Sequence, residues 1–240
     1  MLGPKAKNKR VECDSLTWEA WIAHLRGEVR TASAIFVQAE TEWFSKQREE
    51  ISSTIRYRYS LAGVLHADHL RRKGDTGYAR RVTESNLDFC WYGPWIPDLS
   101  RCYRVLGDLD ADAGQHDGAC TNYDHALKIA RNISSRDTLI EALLARGRWA
   151  ARLAANLPQV GNLREVDQAF SDLNEALGYA VDGGYRIYEA DIRVALAWAH
   201  LAAGDPAAAR AEAERAQRMS ADMGYHWGQV DAAEVLAAVR

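Results

Sequence analysis

The sequence predicts an all-α solenoid of about five helical hairpins stacked in a row, followed by a C-terminal capping helix. Three observations predict it. Small residues recur at a step of 40: Ala39, Ala79 and Ala119 form one series, Gly27, Ala67, Gly107 and Gly147 a second, and Gly74 and Gly114 a third. After a slip of ten residues the pattern resumes at Ala197, Gly204 and Ala209. The two small residues of a unit stand twelve apart (27 to 39, 67 to 79, 107 to 119, 197 to 209), except from Gly147 to Ala169, where the step is 22. The five prolines, at 4, 94, 97, 158 and 206, all fall in a terminus or a predicted turn; inside a helix each would cost about 3 kcal/mol. Self-similarity at a period of roughly 20–50 residues marks an array whose units bury their apolar faces only by stacking on their neighbours.

The units run over about 15–51, 52–93, 94–133, 134–183 and 184–223, with a final helix over 226–239 and a basic arm over 1–14. The arm carries Lys5, Lys7, Lys9 and Arg10 and is expected to be solvated and poorly ordered. In the first unit Gly27 is placed on the first helix and Ala39 on the second. This unit departs most from the rest, with Ala34 where the turn glycine is expected and Lys46 where later units have Ala126, Ala176 and Ala216. The third unit is regular. Arg101–Ala113 sets Cys102, Val105, Leu106 and Leu109 on one helical face, residues 114–117 turn, and Ala119–Arg131 presents Ala119, Tyr123, Ala126, Leu127 and Ala130. The fourth unit carries a ten-residue insertion near 155–163, read as an extended turn or a partner-contacting loop. In the fifth, Gly204 ends one helix, Asp205 caps the next and Pro206 occupies its first turn. Gly184-Tyr185 and Gly224-Tyr225 close two second helices, and Leu236-Ala237 in the last helix matches Leu196-Ala197.

Composition narrows the classes. Hydrophobic residues at 48% supply a core, and the net charge of −3 gives no general attraction to nucleic acid or an anionic membrane. No apolar run reaches the ~18 residues of a membrane span, and no signal-peptide core precedes the first unit. Cys13, Cys90, Cys102 and Cys120 show no zinc or C-x-x-C spacing and read as small buried hydrophobes in a reducing cytoplasm.

The third unit, with Leu106-Gly107, Gly114, Ala119, Tyr123 and Ala126, has the spacing of a tetratricopeptide repeat. A 40-residue period is longer than the usual one of about 34. It resembles the variant in the sensor regions of bacterial signal-transduction NTPases of the NACHT or NB-ARC kind. The segments Glu189–Arg193, Ala199–Asp205 and Met223–Gly228 look like the C-terminal portion of such sensors, and the resemblance extends over about 15–239. It implies a right-handed α-solenoid of TPR-like hairpins that binds a protein or peptide, as the sensor of a bacterial signalling or defence system. It also implies an ATPase module encoded nearby or in the same parent protein. This chain has no G-x-x-x-x-G-K-[ST] loop and is not that ATPase. Two competing readings are a free-standing adaptor scaffolding two proteins, and a peptide or small-molecule receptor, which would favour a closed apolar pocket over an open charged groove.

In such arrays the first helix of each pair lines the concave face. The 40-residue register then points inward His24, Glu28, Asp68, Arg101, Arg104, Asp108, Glu141, Arg148, Asp191, Trp198, Asp231 and Glu234. Arg101, Arg104, Asp108, Glu141, Arg148, Asp191 and Trp198 are the candidate partner-binding residues. Arg148 can offer a planar fork to a carboxylate or phosphate. The same residues also suit an internal ladder of ion pairs, and the sequence leaves both readings open. Relatives that clamp a C-terminal carboxylate use a Lys and Asn pair where Arg104 and Asp108 stand here. The aromatics Trp91, Tyr92, Trp95, Tyr185, Tyr188, Tyr225 and Trp227 cluster at turns between units, as wedges in the stacking core or as partner anchors.

Catalytic and metal signatures are missing. No G-x-S-x-G, H-E-x-x-H or G-x-G-x-x-G occurs, so neither an enzyme nor a cofactor is expected. Asp108-x-Asp110-x-Asp112 fails as a calcium loop because Ala113 and Ala119 stand where glycine and a bidentate glutamate are needed. His66 and His69, three apart, have no matching third ligand and read as structural.

Overall fold

The computed structural model describes residues 4–45, 60–91, 93–156 and 163–239. Those residues form eleven α-helices and no strand: α1 (Pro4–Leu25), α2 (Val29–Ser45), α3 (Leu61–Lys73), α4 (Thr76–Trp91), α5 (Ile96–Asp112), α6 (His116–Arg131), α7 (Arg136–Asn156), α8 (Leu163–Gly183), α9 (Arg186–Ala202), α10 (Pro206–Met223) and α11 (His226–Ala238). No helix among the described residues is long and apolar enough to cross a membrane.

Each odd helix packs against the even helix that follows it, and also against the next odd helix; each even helix leans on the odd helix that follows. The odd helices therefore make a continuous row, with the even helices standing behind it. Small residues set the spacing. Ala67, Ala79, Ala119, Ala169, Ala197 and Ala209 are fully buried. A Cβ on Gly107 would lie 2.7 Å from the Tyr123 ring of α6, and one on Gly147 would lie 2.7 Å from Leu173 Cγ of α8. Both approaches are closer than a methyl group tolerates, so glycine is what lets these hairpins close.

The helix ends follow their sequence signals. Gly184 and Gly224 end α8 and α10 with φ of +70° and +66°. Asp205 caps α10 by accepting from the Ala208 amide at 2.9 Å, and Pro206 opens the helix. The ten-residue insertion lengthens the fourth hairpin rather than only its turn: α7 and α8 have 21 residues each, against 17 and 16 in α5 and α6. Residues 157–162, at the heart of the expected loop, lie outside the described residues, as do Lys46 and Tyr92.

Two expectations about the N-terminal unit are corrected. Helix α1 starts at Pro4, so residues 4–14 continue a helix instead of forming a separate arm. Gly27 is not on the first helix. It sits in the α1–α2 turn with φ +78°, the role that Gly74 (+92°), Gly114 (+71°) and Gly204 (+79°) play in later units. The fully buried small residue of α1 is Ala20, seven before the turn glycine, as Ala67 is seven before Gly74. Seven residues are almost two helical turns, so the slip leaves the buried face nearly unchanged and the small-residue series cannot expose it.

The row of odd helices bends until its ends meet. Trp227 Nε1 at the start of α11 donates to the His24 carbonyl of α1 at 2.8 Å, across 203 residues of sequence. Arg72 of α3 pairs with Asp231 of α11. Arg152 of α7 reaches Glu234 of α11 at 2.9 Å.

Candidate ligand cavity

The inner face of the bent row lines a partly open cavity of about 490 Å³, built from α1, α3, α5, α7, α9 and α11 and from the turns before α9 and α11. Its floor is an ion network centred on Asp108 of α5. The buried Asp108 carboxylate receives Arg148 of α7 at 3.0 Å, Arg104 at 3.2 Å and the Tyr123 hydroxyl at 2.9 Å, with Arg71 of α3 at 3.6 Å. Arg104 also clamps Asp68 of α3 with both ends of its fork, at 2.6 Å each. Burial alone would raise the Asp108 carboxyl, but Arg71, Arg148 and Arg104 together hold it well below the ordinary carboxylate range.

Beside this network Arg101 joins three carboxylates: Asp98 at 3.0 Å on its own helix, and Asp137 at 2.7 Å and Glu141 at 3.0 Å on α7. The Tyr188 hydroxyl of α9 donates to the other oxygen of Glu141 at 2.6 Å. Burial and then the Glu141 charge keep that phenol protonated. The internal ladder of ion pairs is thus built, and it joins helices α3, α5 and α7. It is also the surface of a cavity.

Asp191 of α9 is different. It lines the cavity and accepts from the Tyr225 hydroxyl at 3.2 Å. Among the described residues no cation pairs with it, since Arg148 is spent on Asp108 and Arg72 on Asp231. Burial first, and the neighbouring Asp231 second, push its carboxyl up to about 7, against the opposing pull of Arg148 and the Tyr225 hydroxyl.

The seam where the ends meet is mainly aromatic, with the single ion pair Arg72–Asp231 beside the rings. His24 stacks on Trp21 at 4.7 Å and lies 5.5 Å from the Trp227 ring. His24 Nδ1 and His69 Nδ1 are 3.1 Å apart, and His69 Nε2 is 2.8 Å from Ser33 Oγ. Burial and then His69 lower His24 to about 3, and burial and then Lys73 lower His69 to about 4. Both imidazoles are therefore neutral at neutral pH. The Arg72 guanidinium lies 4.5 Å over the Trp227 ring. A Cβ on Gly27 would collide with the His226 ring, so the turn glycine also admits the closing helix.

Of the residues expected to point inward, His24, Asp68, Arg101, Arg104, Asp108, Glu141, Arg148, Asp191 and Asp231 line the cavity. Trp198 does not. It packs in the side of the row, 5.3 Å from the Arg152 guanidinium. Glu28 lies in the turn before α2, and Glu234 is held by Arg152 outside the cavity. Trp18, Trp21, Arg71 and Arg72 were missed. The seven-residue slip hid the first two, because Trp21 stands where Asp68 stands once it is allowed for. Tyr185 and Tyr225, 40 apart and both in the lining, carried the signal for the aromatic wall.

The aspartates at 110 and 112 are taken by cations, Asp110 by Arg80 at 2.6 Å and Asp112 by Arg71 at 2.7 Å. No group of three metal-ligating side chains is present among the described residues. Buried Cys90 and Cys102 share a hydrogen bond across the α4–α5 contact, and Asn86 Nδ2 donates to Cys102 Sγ at 3.2 Å. No protein-family profile matches the chain, and a comparison with curated proteins finds no match.

Proposed function

We propose that this chain is a non-catalytic recognition module: a right-handed α-solenoid of about five TPR-like hairpins with a capping helix, which holds its ligand in the cavity of the concave face. The observation that carries the reading is the meeting of α1 and α11, which bounds one side of a partly open cavity of about 490 Å³. Such a volume lies in the range of about 300–1,000 Å³ typical of small-ligand sites. A bounded space suits a small molecule or the end of a peptide better than a long segment laid along a groove. Aromatic walls from Trp21, Tyr188, Tyr225 and Trp227 over a polar floor give apolar contact and a few orienting charges together. The resemblance to NTPase sensors supplies the setting, a bacterial signalling or defence system in the cytoplasm with its ATPase partner encoded nearby.

Photo-cross-linking tests the reading. Benzoylphenylalanine placed at Ile187 in the cavity, and in a second protein at Val37 on the outer surface, is irradiated in cells and the chain weighed intact. Adducts of drug-like size, the size that a cavity of this class admits, at position 187 and not at 37 support it. Equal labelling at both positions, or protein-sized adducts at 37 alone, overturns it.

A further inference from the structure

The cavity has more than a shape; its charges are unevenly satisfied. The arginines of the floor each have a carboxylate: Arg71 has Asp112, Arg101 has three, Arg104 has Asp68, and Arg148 has Asp108; the exposed Arg186 at the cavity's edge forms no ion pair among the described residues. Most carboxylates in turn have an arginine, including Asp231 with Arg72. Asp191 has only a phenol hydroxyl, at 3.2 Å. Asp191 is only partly buried, so the lack of a cation costs less than in a closed core, yet a ligand that supplied the charge would still be favoured there. Tyr225, bonded to Asp191, and Tyr188 line the same cavity, and aromatic ring faces attract organic cations; the Trp227 ring already carries the Arg72 guanidinium. The remaining oxygen capacity of Asp191 and the aromatic wall thus face the same space.

We propose that Asp191 is the counter-ion for a ligand's protonated amine, so that the cavity takes an organic ammonium compound with its apolar end against the aromatic wall. This rests on the cavity reading above and assigns the ligand's charge. The elevated carboxyl of Asp191 fits a group whose cation is supplied on binding. The assignment also predicts an opposition between stability and binding. A residue that merely braces the fold loses stability when changed. A carboxylate waiting for a cation destabilises the empty protein, and removing its charge relieves that cost.

Purified protein is titrated with 2-phenylethylamine, 2-phenylethanol and 3-phenylpropionate, following tryptophan fluorescence, with calorimetry as the second readout. The expected result is saturable binding of the amine at least about tenfold tighter than the alcohol, the size of one charge-assisted hydrogen bond. In Asp191→Asn that preference disappears, the amine binding no tighter than the alcohol, and the empty variant melts about 2–4 °C higher. Asp191→Glu, which keeps the charge, retains a preference for the amine. Equal binding of amine and alcohol, or tightest binding of the carboxylate, overturns the charge assignment and leaves the cavity as a ligand site. Binding of none of the three overturns the amine assignment, and the cross-linking at Ile187 then decides the cavity reading by itself.

Discussion

The floor of the cavity and the seam that closes it are held by different physics. On the floor, α3, α5 and α7 are tied by buried arginine–carboxylate pairs that share partners, so that Asp108 alone answers Arg71, Arg104 and Arg148. At the seam, α1, α3 and α11 meet through stacked neutral rings, one indole-to-carbonyl hydrogen bond and the partly exposed Arg72–Asp231 pair. Shared buried charges make the floor costly to break at any point. The seam rests on separate contacts, none of which shares a partner with the floor's central carboxylate.

The largest expected effect tests the floor. Asp108→Ala leaves three arginines with their shared carboxylate gone, and breaking a buried pair in this way costs about 3–5 kcal/mol. Urea unfolding should show the loss as a lower midpoint. A change no larger than that of an exposed pair would mean that Asp68 and Asp112 suffice, and the contrast with the seam would fail.

Acid should separate the two regions. His24 and His69 have folded values of about 3 and about 4 against an ordinary 6.5. Between pH 6.5 and those values the unfolded chain takes up protons that the folded chain refuses. Stability therefore falls as pH falls through that window, by up to about 1.4 kcal/mol per pH unit for each histidine. Asp68 opposes the effect at His24 by favouring its cation, while Arg72 and His226 add to it; Lys73 adds to it at His69. Asp108, held below its ordinary value of 3.8, loses its contribution only at lower pH still. Asp191 runs the other way, its raised carboxyl favouring the folded state as pH falls below about 7. The titration is therefore best read in Asp191→Asn. There, hydrogen exchange at α1 and α11 should rise between about pH 6 and 4 while α5 and α7 stay protected. Simultaneous loss of protection in all four helices would make the seam belong to the floor's cooperative unit.

Gly27→Ala attacks the seam without touching a charge. The left-handed φ of +78° disfavours any side chain, and a methyl group there meets the His226 ring. Strain and overpacking together should cost about 1–3 kcal/mol. The same substitution at Gly74, left-handed but with nothing within 4 Å, isolates the backbone contribution, and the difference between the two melting points measures the contact with α11.

How far the sequence spoke also divides along this line. The 40-residue register placed Asp68, Arg101, Arg104, Asp108, Glu141, Arg148 and Asp191 on one face because α3, α5, α7 and α9 repeat one geometry, and side chains in register share a side. It could not say that those charges would find each other, which depends on how closely the successive odd helices approach one another. The seam was illegible for two reasons. The seven-residue slip in the first unit put Gly27 on a helix and left Trp18 and Trp21 unread. The contact between His24 and Trp227 joins residues 203 apart, and a small bend at each step of the row decides whether such ends meet. A local pattern fixes each step and leaves the sum open. Trp198 shows the limit in reverse, since its register position is inward and its ring packs sideways under Arg152.

The smallest expected effect bears on whether the closure has two supports or three. Arg152 and Glu234 link α7 directly to α11, but their side chains are 44% and 51% exposed, and pairs so open to water contribute about 0.2–1 kcal/mol at most. A double-mutant cycle with Arg152→Met and Glu234→Gln should give a coupling in the lower half of that range, and it should shrink in about 0.5 M salt. Methionine keeps much of the contact that Arg152 makes with Trp198, so the cycle reports the ion pair and not the lost packing. A coupling several times larger would mean that α11 is fastened to the charged rows of the floor as well as to the rings of α1. The closing helix would then belong to the floor, and the seam would have a single weak edge, at His24 and Trp227.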